Sequence, residues 1–159
     1  MLVLDNNSIS KIVSNVRETK QSIVFTNGCF DLLHKGHIHL LKAASKEGDF
    51  LIVAINSDNS ILRIKGKGRP IQSEMERVEA LLKLGELDLV TIFDKDTPFD
   101  LIKLICPDIL VKGSDYTRKK IVGDDFVKSK GGRVVTVPIL QGFSTTSIIK
   151  EMSLNETKT

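Results

Sequence analysis

Apolar positions along this chain alternate between two rhythms. Ser22 to Thr26, Phe50 to Asn56, Leu87 to Phe93, Ile109 to Lys112 and Arg133 to Val137 are short apolar runs that read as strands. The run at Phe50 is nearly continuous, as in a parallel strand buried on both faces. Between the runs lie segments with helical spacing. Ser8 to Lys20 places Ile9, Ile12, Val13 and Val16 on one stripe, with Ser8 as its N-cap. Gly36 to Lys46 offers Ile38, Leu40, Leu41 and Ala44 for packing, and Gly48 reads as the glycine that ends it. Asp58 to Ser73 is loop-like in its second half. Glu74 to Leu84 is amphipathic behind the cap Ser73, and Pro98 to Ile105 carries proline in its first turn. Lys119 to Lys130 is a weaker helix punctuated by Gly131-Gly132, and Ser144 or Thr145 caps a last helix through Met152.

Strand and helix alternate throughout. The pattern predicts an α/β fold: a Rossmann-like, doubly wound, parallel five-stranded sheet with helices on both faces. It forms a single domain over residues 1–152, followed by a polar tail at 153–159. In such sheets ligands bind beyond the carboxyl ends of the strands. That rule gathers five loops on one edge: Thr26 to His37, Asn56 to Pro70, Asp94 to Thr97, Gly113 to Thr117 and Gln141 to Thr145.

The first of these loops is the richest in chemistry. Thr26-Asn27-Gly28-Cys29-Phe30-Asp31-Leu32-Leu33-His34-Lys35-Gly36-His37 packs a glycine, an acid and two histidines into one strand-to-helix turn. Glycine lets the backbone approach a ligand, and the helix N-terminus presents unpaired N–H groups to an anion. With the helix starting near His34, both rings lie on one face of its first turn. A His-x-x-His pair is also half of a metal site, but no Cys or carboxylate cluster nearby completes it.

Composition narrows the partners. The chain of 159 residues is 41% hydrophobic and 27% charged, the balance of an ordinary soluble protein. No apolar run approaches the roughly 20 residues that span a bilayer, and no signal peptide opens the chain. Cys29 and Cys106 lack framework spacing and read as small apolar residues in a reducing, cytoplasmic setting. A net charge of +3, one Tyr and no Trp speak against nucleic acid. The basic residues cluster locally instead. Arg63, Lys65, Lys67 and Arg69 fall within one glycine-bearing loop, which reads as a mobile cover for an anionic small molecule or as a solvated surface turn. Arg77, among Glu74, Glu76 and Glu79, reads as a surface ion pair. Lys112-Gly113-Ser114-Asp115-Tyr116 is a turn or a nucleotide contact, and Ser144-Thr145-Thr146 are helix caps or a second anion site.

Taken together these stretches resemble the HxGH nucleotidyltransferases of the cytidylyltransferase-like group. Residues 25–37 match its first motif, and Phe143-Ser144-Thr145-Thr146-Ser147 its Ser-Thr-Thr motif. Asn56-Ser57-Asp58, Lys65 to Pro70, Asp96-Thr97-Pro98, Val111 to Tyr116 and Val122-Gly123 are most similar to the adenylyltransferase domain of ADP-heptose biosynthesis, with Gly113-Ser114 where two glycines are usual. The resemblance implies AMP transfer from ATP to D-glycero-β-D-manno-heptose 1-phosphate, on the way to the lipopolysaccharide core. The alternatives are a glycerol-phosphate or other alcohol-phosphate cytidylyltransferase, or a non-catalytic nucleotide-binding module. By resemblance, His34, His37 and Lys65 are catalytic. Thr26, Asn27, Gly28, Phe30, Arg77, Lys112, Gly113, Asp115, Tyr116, Ser144, Thr145 and Thr146 join the histidines around the nucleotide. Asp31, Lys65 and Arg69 serve the sugar phosphate, Asp31 by ordering the turn. The resemblance also implies Mg²⁺ held mainly by ATP phosphates, a homodimer, and a separate upstream sugar kinase in place of one fused ahead.

Overall fold

The structure is a computed structural model that describes residues 1–114, 120–138 and 149. The expected helix after Ser144, Asp115, Tyr116 and the polar tail lie outside the described residues. Elements run in the order α1 (Asn6–Glu18), β1 (Ile23–Gly28), α2 (Lys35–Ser45), β2 (Phe50–Asn56), α3 (Asp58–Lys65), α4 (Glu74–Leu84), β3 (Leu89–Phe93), α5 (Phe99–Ile105), β4 (Ile109–Ser114), α6 (Asp124–Ser129) and β5 (Arg133–Pro138). Among the described residues no helix is long and apolar enough to cross a membrane.

All five strands are parallel, in the order β3-β2-β1-β4-β5. The chain winds outward from β1 through β2 to β3, then returns to lay β4 on the other side of β1. Such a reversal leaves a crevice beyond the carboxyl ends of the two central strands. At the opposite edge, aspartates hold the first N–H groups of the strands: Asp108 accepts from Ile23 N at 2.8 Å, and Asp88 from Leu51 N at 2.8 Å. Outside β3 the N-terminus runs alongside as a single bridge from Leu2 to Val90, with Val90 N donating to Met1 O at 2.8 Å and Val3 N to Val90 O at 3.0 Å.

Side-chain alternation splits the interior into two cores. Ile23, Phe25, Ile52, Ala54 and Leu89 face α1, α5 and α6 through Ile9, Val13, Ile102, Ile105 and Val127. Val24, Leu51, Val53, Ile55 and Val90 face α2 and α4 through Leu41, Ala44, Val78 and Leu81. Strands covered on both faces explain why the apolar runs are nearly unbroken.

Three boundaries depart from the sequence reading. The cap of α1 is Asp5, whose carboxylate accepts from Ser8 N at 2.8 Å, so the helix begins ahead of Ser8. The last helix before β5 starts only at Asp124, behind Gly123 at φ 88°. Gly48 does not end α2, which stops at Ser45 with Lys46 in right-handed conformation as its cap. Its glycine is a packing requirement, because a Cβ there would lie 2.7 Å from both Ser22 Oγ and Val24 Cγ2. By contrast Ser73 caps α4 as expected, in a reciprocal box with Glu76.

Gly48→Ala must push the start of β1 against its neighbours. Overpacking of this kind costs about 1–3 kcal/mol. A fall of several degrees in Tm, read by circular dichroism, is the expected outcome.

Candidate active site

The turn after β1 is locked by one buried guanidinium. Arg77 of α4 is fully buried. Its Nη1 donates to Cys29 O at 2.8 Å and to Asn56 O at 2.7 Å, its Nε to Gln72 O at 3.2 Å, and its Nη2 to Asp58 Oδ1 at 2.8 Å. The surface ion pair read from the sequence does not fit this buried placement. Arg77 spends its donors on the ends of β1 and β2. Asp31 is likewise buried, and its carboxylate accepts from Ile71 N at 2.8 Å, Gln72 N at 2.9 Å and Arg69 Nε at 3.3 Å. It ties the turn to residues 69–72 and is itself fully buried. With both anchors in place, Phe30 and Leu32 are held at positive φ, 49° and 55°. The buried ring of Phe30 tucks beneath Gly28, where a Cβ would meet it at 3.0 Å. Thr26 is fully buried in β1, and its Oγ1 has no hydrogen-bond partner among the described residues.

His34 and His37 form the start of α2. His34 is the N-cap, and its Nδ1 accepts from Gly36 N at 3.0 Å and His37 N at 3.4 Å. His37 returns the bond, its Nδ1 accepting from His34 N at 3.3 Å. The rings stack with centroids 3.7 Å apart and 22° between planes, and Phe30 lies 5.2 Å from His37. Burial pushes both imidazoles below their ordinary range, His37 to about 3, with the charges of His34 and Lys65 adding to the effect and Asp31 opposing it.

Beyond the strand ends opens a cleft of about 440 Å³. Asn27 and Gly28 from β1 and Lys112 and Gly113 from β4 line it. Lys112 Nζ donates to Asn27 O at 3.1 Å across the two strands, and burial holds its ammonium below the usual lysine range. The cleft wall also includes Cys29, Asn56, Asp96 and Thr97, which the sequence reading left out of the site. Cys29 passed as a small apolar residue, although its Sγ reaches Asn56 Oδ1 at 3.7 Å. The histidines are not part of this wall and stand on the turn leading from it. Ser144, Thr145 and Thr146 lie outside the described residues.

The basic segment is less of a loop than expected. Arg63 and Lys65 belong to the last turn of α3. Arg63 is engaged with Asp96 at 3.0 Å and with Asp94 O, so it ties α3 to the loop after β3. Arg69 is held by Asp31, and at Gly66 and Gly68 an added Cβ would meet open space. Arg69 Nη2 is buried and has no hydrogen-bond partner among the described residues. Lys65 is exposed, and its charge reaches His37.

The depressed His37 links folding to pH. The unfolded chain takes up this proton near pH 6.5, the folded one only near 3. Between those values the unfolded state binds more protons, so stability is full above 6.5 and declines as pH falls. Denaturant titrations at pH 7.5 and 5 should show this loss, and His37→Gln should lessen it relative to wild type.

Comparisons with known proteins bear on the family and the fold. The cytidylyltransferase-like family model matches residues 25–151. The chain is 50% identical over 143 residues to the bifunctional protein HldE of Gluconobacter oxydans (strain 621H), covering 90% of this chain and 30% of that protein. It is 47% identical over 150 residues to the bifunctional protein HldE of Coxiella burnetii (strain RSA 493 / Nine Mile phase I), covering 94% and 32%. The chain thus spans about a third of the length of these curated relatives. Among solved structures, the lipopolysaccharide core biosynthesis protein from Thermoplasma volcanium GSS1 superposes with a TM-score of 0.61 at 31% identity, over 76% of this chain and 97% of that one. A pantoate-beta-alanine ligase from Francisella tularensis shares the fold, with a TM-score of 0.70 at 16% identity, over 95% and 72%. With the family model spanning the turn of the two histidines and most of the sheet, the chain belongs to the cytidylyltransferase-like family.

Proposed function

We propose that the chain transfers AMP from ATP to the phosphate of D-glycero-β-D-manno-heptose 1-phosphate, releasing pyrophosphate and forming ADP-heptose. The observation that carries this reading is the stacked pair His34 and His37 on the N-terminus of α2, reached by the charge of Lys65. Two polyanions must meet at such a site, and helix-end amides, imidazoles and lysine are the donors they need. The buried, unpartnered Nη2 of Arg69 fits a further phosphate oxygen. The choice of sugar rests on the similarity to the HldE proteins and to the lipopolysaccharide core biosynthesis protein.

The chemistry asks little covalent help. An oxygen of the sugar phosphate, already ionised at neutral pH, attacks the α-phosphorus of ATP. The bond from that phosphorus to the bridging oxygen breaks, and pyrophosphate leaves with the electron pair. The chain holds the two anions in line and stabilises charge as it shifts toward the leaving group. Asn27, Gly28, Lys112 and Gly113 line the cleft that would take the nucleoside, while Lys65 and Arg69 would neutralise the sugar phosphate. Mg²⁺ would enter on the nucleotide and neutralise its phosphates, which suits a site where, among the described residues, no three His, Cys, Asp or Glu side chains gather. An upstream kinase would supply the sugar 1-phosphate, and the reaction belongs in the cytoplasm with its ATP.

A cytidylyltransferase is the second reading, favoured by the family model's own description. Pyrophosphate release, measured with ATP and CTP against heptose 1-phosphate and glycerol phosphate, decides between them. The expected outcome is a higher kcat/KM for ATP with the heptose phosphate, and a preference for CTP overturns the proposal.

His37→Ala should lower kcat about 10²-fold or more, the size seen when one transition-state donor is removed. Lys65→Ala should chiefly raise KM for the sugar phosphate while leaving ATP binding near wild type. Steady-state kinetics with each substrate varied in turn checks both.

A further inference from the structure

We propose that His34 and His37 work as a matched pair of neutral imidazoles, both in the Nε2–H tautomer, and that the fold enforces this state by using their other ring nitrogens to cap α2. The proposal deepens the reading above and rests on it for the identity of the anion.

Hydrogen-bond direction leaves little choice. A backbone N–H only donates, so a ring nitrogen that receives it must offer a lone pair. His34 Nδ1 receives two such bonds, from Gly36 and His37, and His37 Nδ1 receives one from His34. Neither Nδ1 carries hydrogen, and a neutral imidazole must then carry its single hydrogen on Nε2. The arrangement is a capping box in which imidazoles take the places usually held by Ser or Thr and by Glu. A box needs acceptors at the N-cap and at the third helical residue. The three-residue spacing of the histidines is therefore the spacing of a helix start, and glycine between them provides one of the capped amides.

Protonating either ring would sacrifice a capping bond. It would also place a cation beside the other ring at 3.7 Å and against the positive end of a helix. The charged groups that reach His37 are Lys65 from α3 and Asp31 from the turn, and Asp31 is already committed to Arg69 and to the amides of Ile71 and Gln72. The consequence is mechanistic. With both Nδ1 lone pairs engaged and both Nε2 atoms protonated, neither histidine can act as a general base. Each stabilises phosphate oxygens by donation alone, and no proton moves as the new bond to phosphorus forms and the old one breaks.

The test is long-range ¹H–¹⁵N correlation spectroscopy on the ligand-free, histidine-labelled protein between pH 5.5 and 8, with signals assigned through His34→Ser and His37→Gln. The expected result is an unprotonated Nδ1 and a protonated Nε2 for both residues throughout. An Nδ1–H tautomer or an imidazolium at either residue at pH 7 overturns the proposal. Thermal unfolding supplies a second readout. His34→Ser restores a capping oxygen but no imidazole, so its Tm should exceed that of His34→Ala while both lose turnover alike. Equal Tm values for the two variants would overturn the capping role. If the tautomers are as stated and no nucleotide is turned over, the function reading falls and this proposal stands. If turnover is present and either tautomer differs, this proposal alone falls.

Discussion

A single buried cation organises the edge of the sheet beyond its strand ends. The carbonyls of Cys29, just beyond β1, and of Asn56, the last residue of β2, find no ladder partner once the chain turns away. Arg77 satisfies both from below, and its remaining nitrogens reach Gln72 and Asp58. The planar fork of a guanidinium spans several acceptors at once, which an ammonium cannot do. Leaving those carbonyls and the guanidinium without one another would cost the desolvation of each group. The two strand ends, the start of α3 and the approach to α4 therefore hold their relative positions through one side chain.

From that anchor the rest of the site follows by short steps. A fixed Cys29 carbonyl sets the path of the turn, and Asp31 ties its far side to residues 69–72. On either side of Asp31, Phe30 and Leu32 accept positive φ values that free chains avoid. Phe30 then stands between the cleft and the histidines, under Gly28 on one side and beside His37 on the other. The cleft and the two histidines are thus neighbours joined through one aromatic ring.

What could be read in advance divides along physical lines. The sheet and its helices were legible because burial on both faces writes unbroken apolar runs, and because Ser73 and Glu76 carry the local signature of a helix start. The turn with its two histidines was legible because it is contiguous. Arg77 was not, since its partners lie in three other segments and its acidic sequence neighbours suggested the surface. Gly48 was misread for a related reason. Its position after a helix is local, whereas the side chains that exclude a Cβ come from Ser22 and Val24. Asn56 and Asp96 reach the cleft only because β2 and β3 end on the same edge, a fact of topology.

The strip of backbone at the very start of the chain has a colloidal meaning as well as a structural one. Strand β3 is the outermost strand on its side and reads Leu-Val-Thr-Ile-Phe, five residues without a charge or a proline. Bare, such an edge is a template for other chains to add to. Residues 1–3 occupy the outward hydrogen-bonding groups of Val90. Residues 1–3 therefore cover part of that edge, and fewer of its backbone groups stay open to another chain.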